Sequence, residues 1–337
     1  MQSSDPTLGI YEVHQRFDSY ISQIIRVDPN TDHIEFDWVV GPIPDIDHQG
    51  REVVTQYKTG LASGRTFYTD ANGRQMLKRV WNHRPTWNVT LKEPISGNYY
   101  PVNSRIYLKD EAKDLQLTIL NDRSQGGTSP VDGTLDIMVH RRLFHDDNFG
   151  VSDVLNEPGV DGKGLVIRGR HLLLVESIGK SAAKHRELGQ QMFMEPLVTF
   201  TTNVSEADYR AKYQTQFTGL TVALPKNVHL LTLEQWSNDR LLLRLEHFYQ
   251  KNEDAELSKP ATVNLKNLFS GFEVVHAQEL TLSGNSDIEA TKNRLKFKYT
   301  PVGTVEEPEV HVFEANKMDV TLTPMQIRTF VVNVKRH

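Results

Sequence analysis

Residues 140–150 read HRRLFHDDNFG, with two histidines, two arginines and two adjacent aspartates in eleven residues. His140, His145, Asp146 and Asp147 are all donors for a divalent cation, and zinc favours histidine nitrogen and carboxylate oxygen in a tetrahedral shell. Neighbouring side chains diverge, however, so Asp146 and Asp147 chelate one ion poorly. The competing chemistry is electrostatic: Arg141 or Arg142 fixes an aspartate in an ion-paired turn. Local spacing favours the turn. NDRSQGG (121–127) sets an Asp, an Arg and a Ser beside flexible glycines. It suits either the rim of a site or a turn in which Asp122 accepts backbone hydrogen bonds. GNYYPVN (97–103) sets Tyr99 and Tyr100 before a proline. Tyrosines hydrogen-bond sugar hydroxyls and stack on sugar rings, although their commoner place is the amphipathic edge of a core. Glycoside hydrolysis needs two carboxyl groups about 5–9.5 Å apart in space, and adjacency in sequence does not test that. No serine nucleophile elbow, phosphate loop or dinucleotide fingerprint occurs.

Strands must position these groups. Ile34, Phe36, Trp38 and Val40 alternate with Glu35, Asp37 and Val39. The same period recurs at Leu115, Leu117 and Ile119, at Leu135, Ile137 and Val139, and at Leu172 and Leu174. It returns at Leu241, Leu243 and Leu245, and at Phe330, Val332 and Val334. Such alternation sets one strand face on a core and the other in water. On the strand that ends in His140-Arg141-Arg142, His140 and Arg142 share a face and Arg141 takes the other. His145-Asp146-Asp147-Asn148 then forms the loop beyond it. Asn72-Gly73 predicts a tight hairpin. Asp132-Gly133, Gly126-Gly127, Gly162-Lys163-Gly164 and Ser283-Gly284-Asn285 predict further turns. Helical spacing is rare: Phe17, Tyr20, Ile21 and Ile24 fit a helix or a buried strand, and 181–191 a short helix or a loop. The expected fold is all-β, a large β-sandwich over 1–225 followed by a smaller β-sandwich over 228–337. The break is Pro225-Lys226-Asn227, and a polar loop follows at 251–260.

Composition narrows the partners. The 337 residues carry a formal net charge of −5, and their lysines and arginines are scattered. That leaves no footprint for nucleic acid and no basic run for a membrane surface. No apolar run approaches the roughly 20 residues that span a bilayer. The start, MQSSDPTLG, shows no signal peptide. There are no cysteines, which excludes disulfides, thiolate nucleophiles and Cys-ligated zinc. Asn88-Val89-Thr90 and Asn203-Val204-Ser205 are N-glycosylation sequons.

Ten stretches together carry a resemblance. They are FDWVVGPIP (36–44), FYTDANGR (67–74), RPTW (84–87), GNYYPVNSRIYLKD (97–110), LNDRSQGG (120–127), DGTLDIMVHRRLFHDDNFG (132–150), RGRHLLL (168–174), VHLLTLEQW (228–236), LLLRLEH (241–247) and LTPMQIRTF (322–330). In this order they resemble the C-terminal half of the lysosomal-type α-mannosidases of glycoside hydrolase family 38. The resemblance implies a retaining enzyme that trims terminal mannose from N-linked glycans, lysosomal or secreted. It implies an Asp nucleophile and a zinc ion in an N-terminal catalytic half, outside this chain, which becomes the partner. No catalytic residue and no metal ligand is assigned within these 337 residues. The resemblance further implies that Tyr99 or Tyr100 reaches the mannose pocket and that the Arg244 backbone touches the sugar. It makes Arg141, Asp146 and Asp147 candidates for the pocket rim. The family carries Arg after the aspartate pair, as DDxRG, where this chain has Phe149. The alternative is a stand-alone carbohydrate-binding or structural β-sandwich protein derived from the enzyme, and homo-oligomers fit either case.

Overall fold

In the computed structural model, which describes residues 2–5, 9–291, 294 and 311–336, the period-two segments are strands. Contacts divide the chain into two units, Met1–Glu195 and Pro196–His337.

The first unit begins with β1 (Gln2–Asp5), β2 (Ile10–Asp18), β3 (Ile21–Val27), β4 (Ile34–Val40), β5 (Arg51–Lys58), β6 (Thr66–Ala71) and β7 (Gln75–Val80). It continues with β8 (Tyr100–Val102), β9 (Arg105–Asp110), β10 (Leu115–Asn121), β11 (Gln125–Thr128), β12 (Thr134–Arg142), β13 (Ile167–Glu176) and helix α1 (Ile178–Phe193). Nine strands form one antiparallel sheet in the order β1-β2-β3-β4-β13-β10-β9-β6-β7, and four form a second, β5-β12-β11-β8. The two sheets share a core in which Phe67, Ile106, Leu108, Leu117 and Ile119 meet Tyr57, Val102, Leu135 and Ile137. Each fully buried side chain of this kind contributes about 1.5–3 kcal/mol relative to exposure. Helix α1 covers the opposite face of the large sheet, where Met192 packs on Leu120, Leu172 and Leu174. The alternation at Leu172 and Leu174 therefore faces a helix, while Leu173 packs on the inter-sheet core.

Three local readings change or resolve. Phe17, Tyr20, Ile21 and Ile24 belong to the β2–β3 hairpin, not a helix. The β-branched run Ile21, Ile24, Ile25 and Val27 suits the pleated sheet. Gly126-Gly127 lies within β11 and makes no turn. A Cβ on Gly127 would stand 2.7 Å from Val102 Cγ2 and 2.8 Å from Ile106 Cδ1, so glycine lets the sheets approach. Asn72-Gly73 does turn, with both residues at positive φ, 53° and 71°.

The second unit contains α2 (Glu206–Lys212), β14 (Val228–Ser237), β15 (Arg240–His247), β16 (Ala261–Asn264), β17 (Phe272–Leu280), α3 (Ile288–Thr291), β18 (Asp319–Leu322) and β19 (Ile327–Arg336). Sheet β14-β15-β19-β17 packs on the pair β16-β18. Leu243, Leu245, Phe330 and Val332 meet Val263, Val320 and Leu322 there, which makes a small sandwich. Pro225 marks a turn, its carbonyl accepting from Val228 N–H at 2.9 Å. The division of the units nevertheless lies upstream, because Leu220 and Leu224 already pack on the second core. Leu220 also bridges Phe269, and Thr221 N–H donates to Leu268 O at 2.9 Å.

Candidate functional site

Strand β12 sends Arg141 and Arg142 to opposite sides after a bulge between Met138 and His140. The Arg142 side chain is only 7% exposed. Its Nε–H donates to Asn156 Oδ1 at 2.7 Å, and Nη1 donates to Ile43 O at 2.7 Å and Lys163 O at 3.1 Å. Nη2 donates to Asp45 Oδ2 at 2.8 Å. One buried guanidinium therefore ties the loop after β4 to the long loop before β13. The aspartate that it fixes is Asp45, outside the DD pair. Asp146 Oδ2 accepts from Asn148 N–H at 3.2 Å, and Asp147 Oδ1 accepts from Phe149 N–H at 3.1 Å. Both aspartates thus make local turns that shape the loop. Phe149 is 91% exposed. His140 turns to Leu165 O at 3.3 Å, and burial lowers its pKa. Among the described residues no three His, Asp or Glu side chains gather as metal donors. Arg141 reaches Glu52 at 3.1 Å on the surface, a pair of the kind that contributes about 0.2–1 kcal/mol.

The two tyrosines part company. Tyr100 opens β8 and packs on the inter-sheet core, its ring edge-on to Phe67 at 5.8 Å. The guanidinium groups of Arg79 and Arg84 sit over that ring at 4.3 and 4.9 Å, in cation–π contacts. Tyr99 takes the other face of the four-stranded sheet. A Cβ on Gly126 would meet Tyr99 Cδ1 at 3.5 Å and Met138 Sδ at 3.0 Å, so a bare glycine makes room for the ring. On this face Gln56 Nε2 donates to Asp136 Oδ1 at 2.7 Å, across the register that pairs β5 with β12. Burial raises the Asp136 pKa. Burial first, then the charges of Asp136 and Glu52, push the Tyr99 hydroxyl up to about 12.

Tyr99, Asp136, Gln56, Glu52 and Arg141 form one polar cluster on the sheet. A phenol that stays protonated through neutral pH donates a hydrogen bond, and a neighbouring carboxylate accepts one. That combination suits vicinal hydroxyl groups. The structure brings the predicted Tyr99 and Arg141 onto one face through Glu52. Asp136, Gln56 and Glu52 were missed. Asp136 lies in the outward phase of LDIMV, and that phase was its only signal. Strand β5, REVVTQYK, alternates less cleanly and went unread.

The remaining candidates have settings of their own. Arg244 belongs to the second unit, on β15. Its Nε–H donates to Leu282 O at 3.2 Å and Nη1 to Thr232 Oγ1 at 3.4 Å, which fixes the side chain on the strand. Asn88 and Asn203 are both exposed, Asn203 at φ 63°. Ser205, the third residue of the second sequon, caps α2 by accepting from Asp208 N–H at 3.1 Å. Asp122 Oδ2 accepts from Arg170 N–H at 3.0 Å, a long-range bond to β13 rather than one within NDRSQGG.

Comparison with known proteins adds five findings. The family described as Glycosyl hydrolases family 38 C-terminal domain matches residues 9–149. Glycosyl hydrolases family 38 C-terminal beta sandwich domain matches residues 227–330. Lysosomal alpha-mannosidase of Mus musculus is 45% identical over 332 residues, 98% of this chain and 32% of its own length. The Homo sapiens protein of that name is 45% identical over 329 residues, 97% of this chain and 32% of its own length. The chain thus spans about a third of the length of these relatives. A crystal structure of an alpha-mannosidase from Enterococcus faecalis superimposes with a TM-score of 0.57 at 13% identity. It covers 92% of this chain and 28% of that one, a likeness of fold.

Proposed function

The chain belongs to the C-terminal region of glycosyl hydrolase family 38, and on that premise we propose that it is the β-sandwich portion of a retaining α-mannosidase. The observation that carries this reading is the ordered pair of family matches, one within each unit. The substrate is terminal α-mannose of N-linked glycans, and the enzyme is lysosomal or secreted. The Asp nucleophile and the zinc belong to a catalytic portion outside these residues, which is the partner. The zinc, when bound there, grips sugar hydroxyls. The part of this chain's own residues is to bind and orient the sugar.

Tyr99 donates its phenolic hydrogen to a mannose hydroxyl, and Asp136, held by Gln56, accepts from a neighbouring one. Arg142 holds the loop that carries Asp146, Asp147 and Phe149 at the rim. The test is kinetic, in the assembled enzyme. Tyr99→Phe removes one hydrogen bond to the sugar and should lower kcat/KM by about tenfold. Tyr100→Phe keeps the ring between Arg79 and Arg84 and should leave kcat/KM within about twofold. Equal rates for Tyr99→Phe and wild type would remove Tyr99 from the sugar site.

A further inference from the structure

The outer face of the nine-stranded sheet carries an open basin of about 670 Å³. Its floor consists of three successive residues from each of four neighbouring strands: 14–16 of β2, 22–24 of β3, 37–39 of β4 and 168–170 of β13. Asp122 closes one side. The register sorts the upward side chains into two rows. One runs His14, Ile24, Asp37, Arg170, and the other Arg16, Ser22, Val39, Arg168.

The rows differ in charge compensation. In the first, Asp37 is bound by Arg26, Arg170 meets Glu35 and Glu195, and His14 meets Glu12 at 3.3 Å. Asp122 is likewise engaged, by the Arg123 side chain at 3.0 Å. The second row has two guanidinium groups and no carboxylate. Among the described residues, the Arg16 side chain donates only through Nε–H, to the backbone carbonyl of Asp18 at 3.2 Å. The Arg168 side chain meets no partner among the described residues, and both arginines are exposed. Three inter-strand steps separate their backbone positions, about 14 Å at the usual strand spacing. Between them lie the Ser22 hydroxyl and the aliphatic surface of Val39, with Ile24 beside them in the first row.

Two uncompensated cations this far apart match a ligand with two separated anionic groups. An aliphatic strip between them matches the C–H face of a sugar ring, and the serine hydroxyl adds a hydrogen bond. We propose that this basin binds an extended anionic glycan, with carboxylate or sulfate ester groups on Arg16 and Arg168 and a sugar ring on Val39 and Ile24. The site is separate from the Tyr99 cluster and does not rest on the mannosidase reading.

Calorimetric titration of the full chain with a heparin-derived tetrasaccharide tests it, beside neutral mannotetraose and inorganic sulfate. The expected result is saturable binding of the sulfated tetrasaccharide alone, weaker at higher salt. The pair Arg16→Gln and Arg168→Gln should weaken it by about tenfold or more, with the melting temperature unchanged. The pair Lys92→Gln and Lys212→Gln removes the same net charge elsewhere and should leave binding intact. Three results would overturn the proposal: affinity that ignores the two arginines, equal binding of mannotetraose, or saturation by inorganic sulfate with the same arginine dependence.

Discussion

Replacing Arg142 by alanine should lower the unfolding free energy by about 3–5 kcal/mol, read from urea titration. The guanidinium is almost wholly buried and donates to Asn156, Ile43 O, Lys163 O and Asp45. Its removal strands the carbonyls of Ile43 and Lys163 and the Asn156 amide oxygen, for which no other donor stands among the described residues. Asp45 is half exposed, so the ion pair itself contributes little, and the loss comes from the carbonyls. Arg142→Lys should recover only a minor part, because an ammonium cannot reproduce the planar fork that spans three chain segments. The loop over 143–166 should become more sensitive to proteolysis in both variants. A loss below about 1 kcal/mol would mean that the loops hold themselves without this staple.

The second large effect is pH-linked. His171 is wholly buried between the sheets, where Tyr57 O–H donates to Nδ1 at 3.0 Å and Nε2–H donates to Gln125 Oε1 at 2.8 Å. Gln125 Nε2 donates to Met138 O at 2.9 Å, which fixes the orientation of that amide. This arrangement suits the neutral imidazole, and burial lowers its pKa to about 4. In the unfolded chain the same group titrates near 6.5. Between these values the unfolded state holds the extra proton. Stability therefore falls as pH drops from about 6.5 to about 4 and is level below that, with a total near 3 kcal/mol for this group. His185, also buried and lowered well below its ordinary value, acts in the same direction. Measured by urea unfolding at a series of pH values, His171→Gln should flatten the decline across this window by about that amount. An unchanged decline would assign the acid sensitivity to other groups.

The strand phases were legible wherever one face meets a core and the other meets water. Ile34 to Val40 and Leu135 to Val139 show this, since alternation records burial directly. Helix α1 was only half visible, because its buried face mixes Ser181, His185, Arg186 and Gly189 with Ala182 and Met192. Its polar groups are satisfied by tertiary partners such as Arg105, which no local pattern announces. Gly126-Gly127 misled for a related reason. Glycine serves tight turns and close sheet contacts alike, and only the position of Val102 distinguishes them.

The candidate site shows the same boundary. HRRLFHDDNFG was legible as a charged turn and illegible as a staple, because Arg142's partners lie at 43–45, 156 and 163. The choice between Tyr99 and Tyr100 needed the parity of β8 against the core. Asp136 needed the cross-strand partner Gln56, about eighty positions away in sequence. Resemblance supplied what spacing could not, namely the expectation that one of the two tyrosines reaches a sugar. The family matches at 9–149 and 227–330 place that resemblance on both units.

The most direct test of the central claim is complementation. The chain would be expressed alone, with a polypeptide carrying the preceding two-thirds of a lysosomal alpha-mannosidase, and that polypeptide would also be expressed alone. Hydrolysis of an aryl α-mannoside and co-elution on size exclusion would be read together. The account predicts activity only for the pair, which should elute as one complex. Hydrolysis by this chain alone, or failure of the two portions to associate, would contradict it.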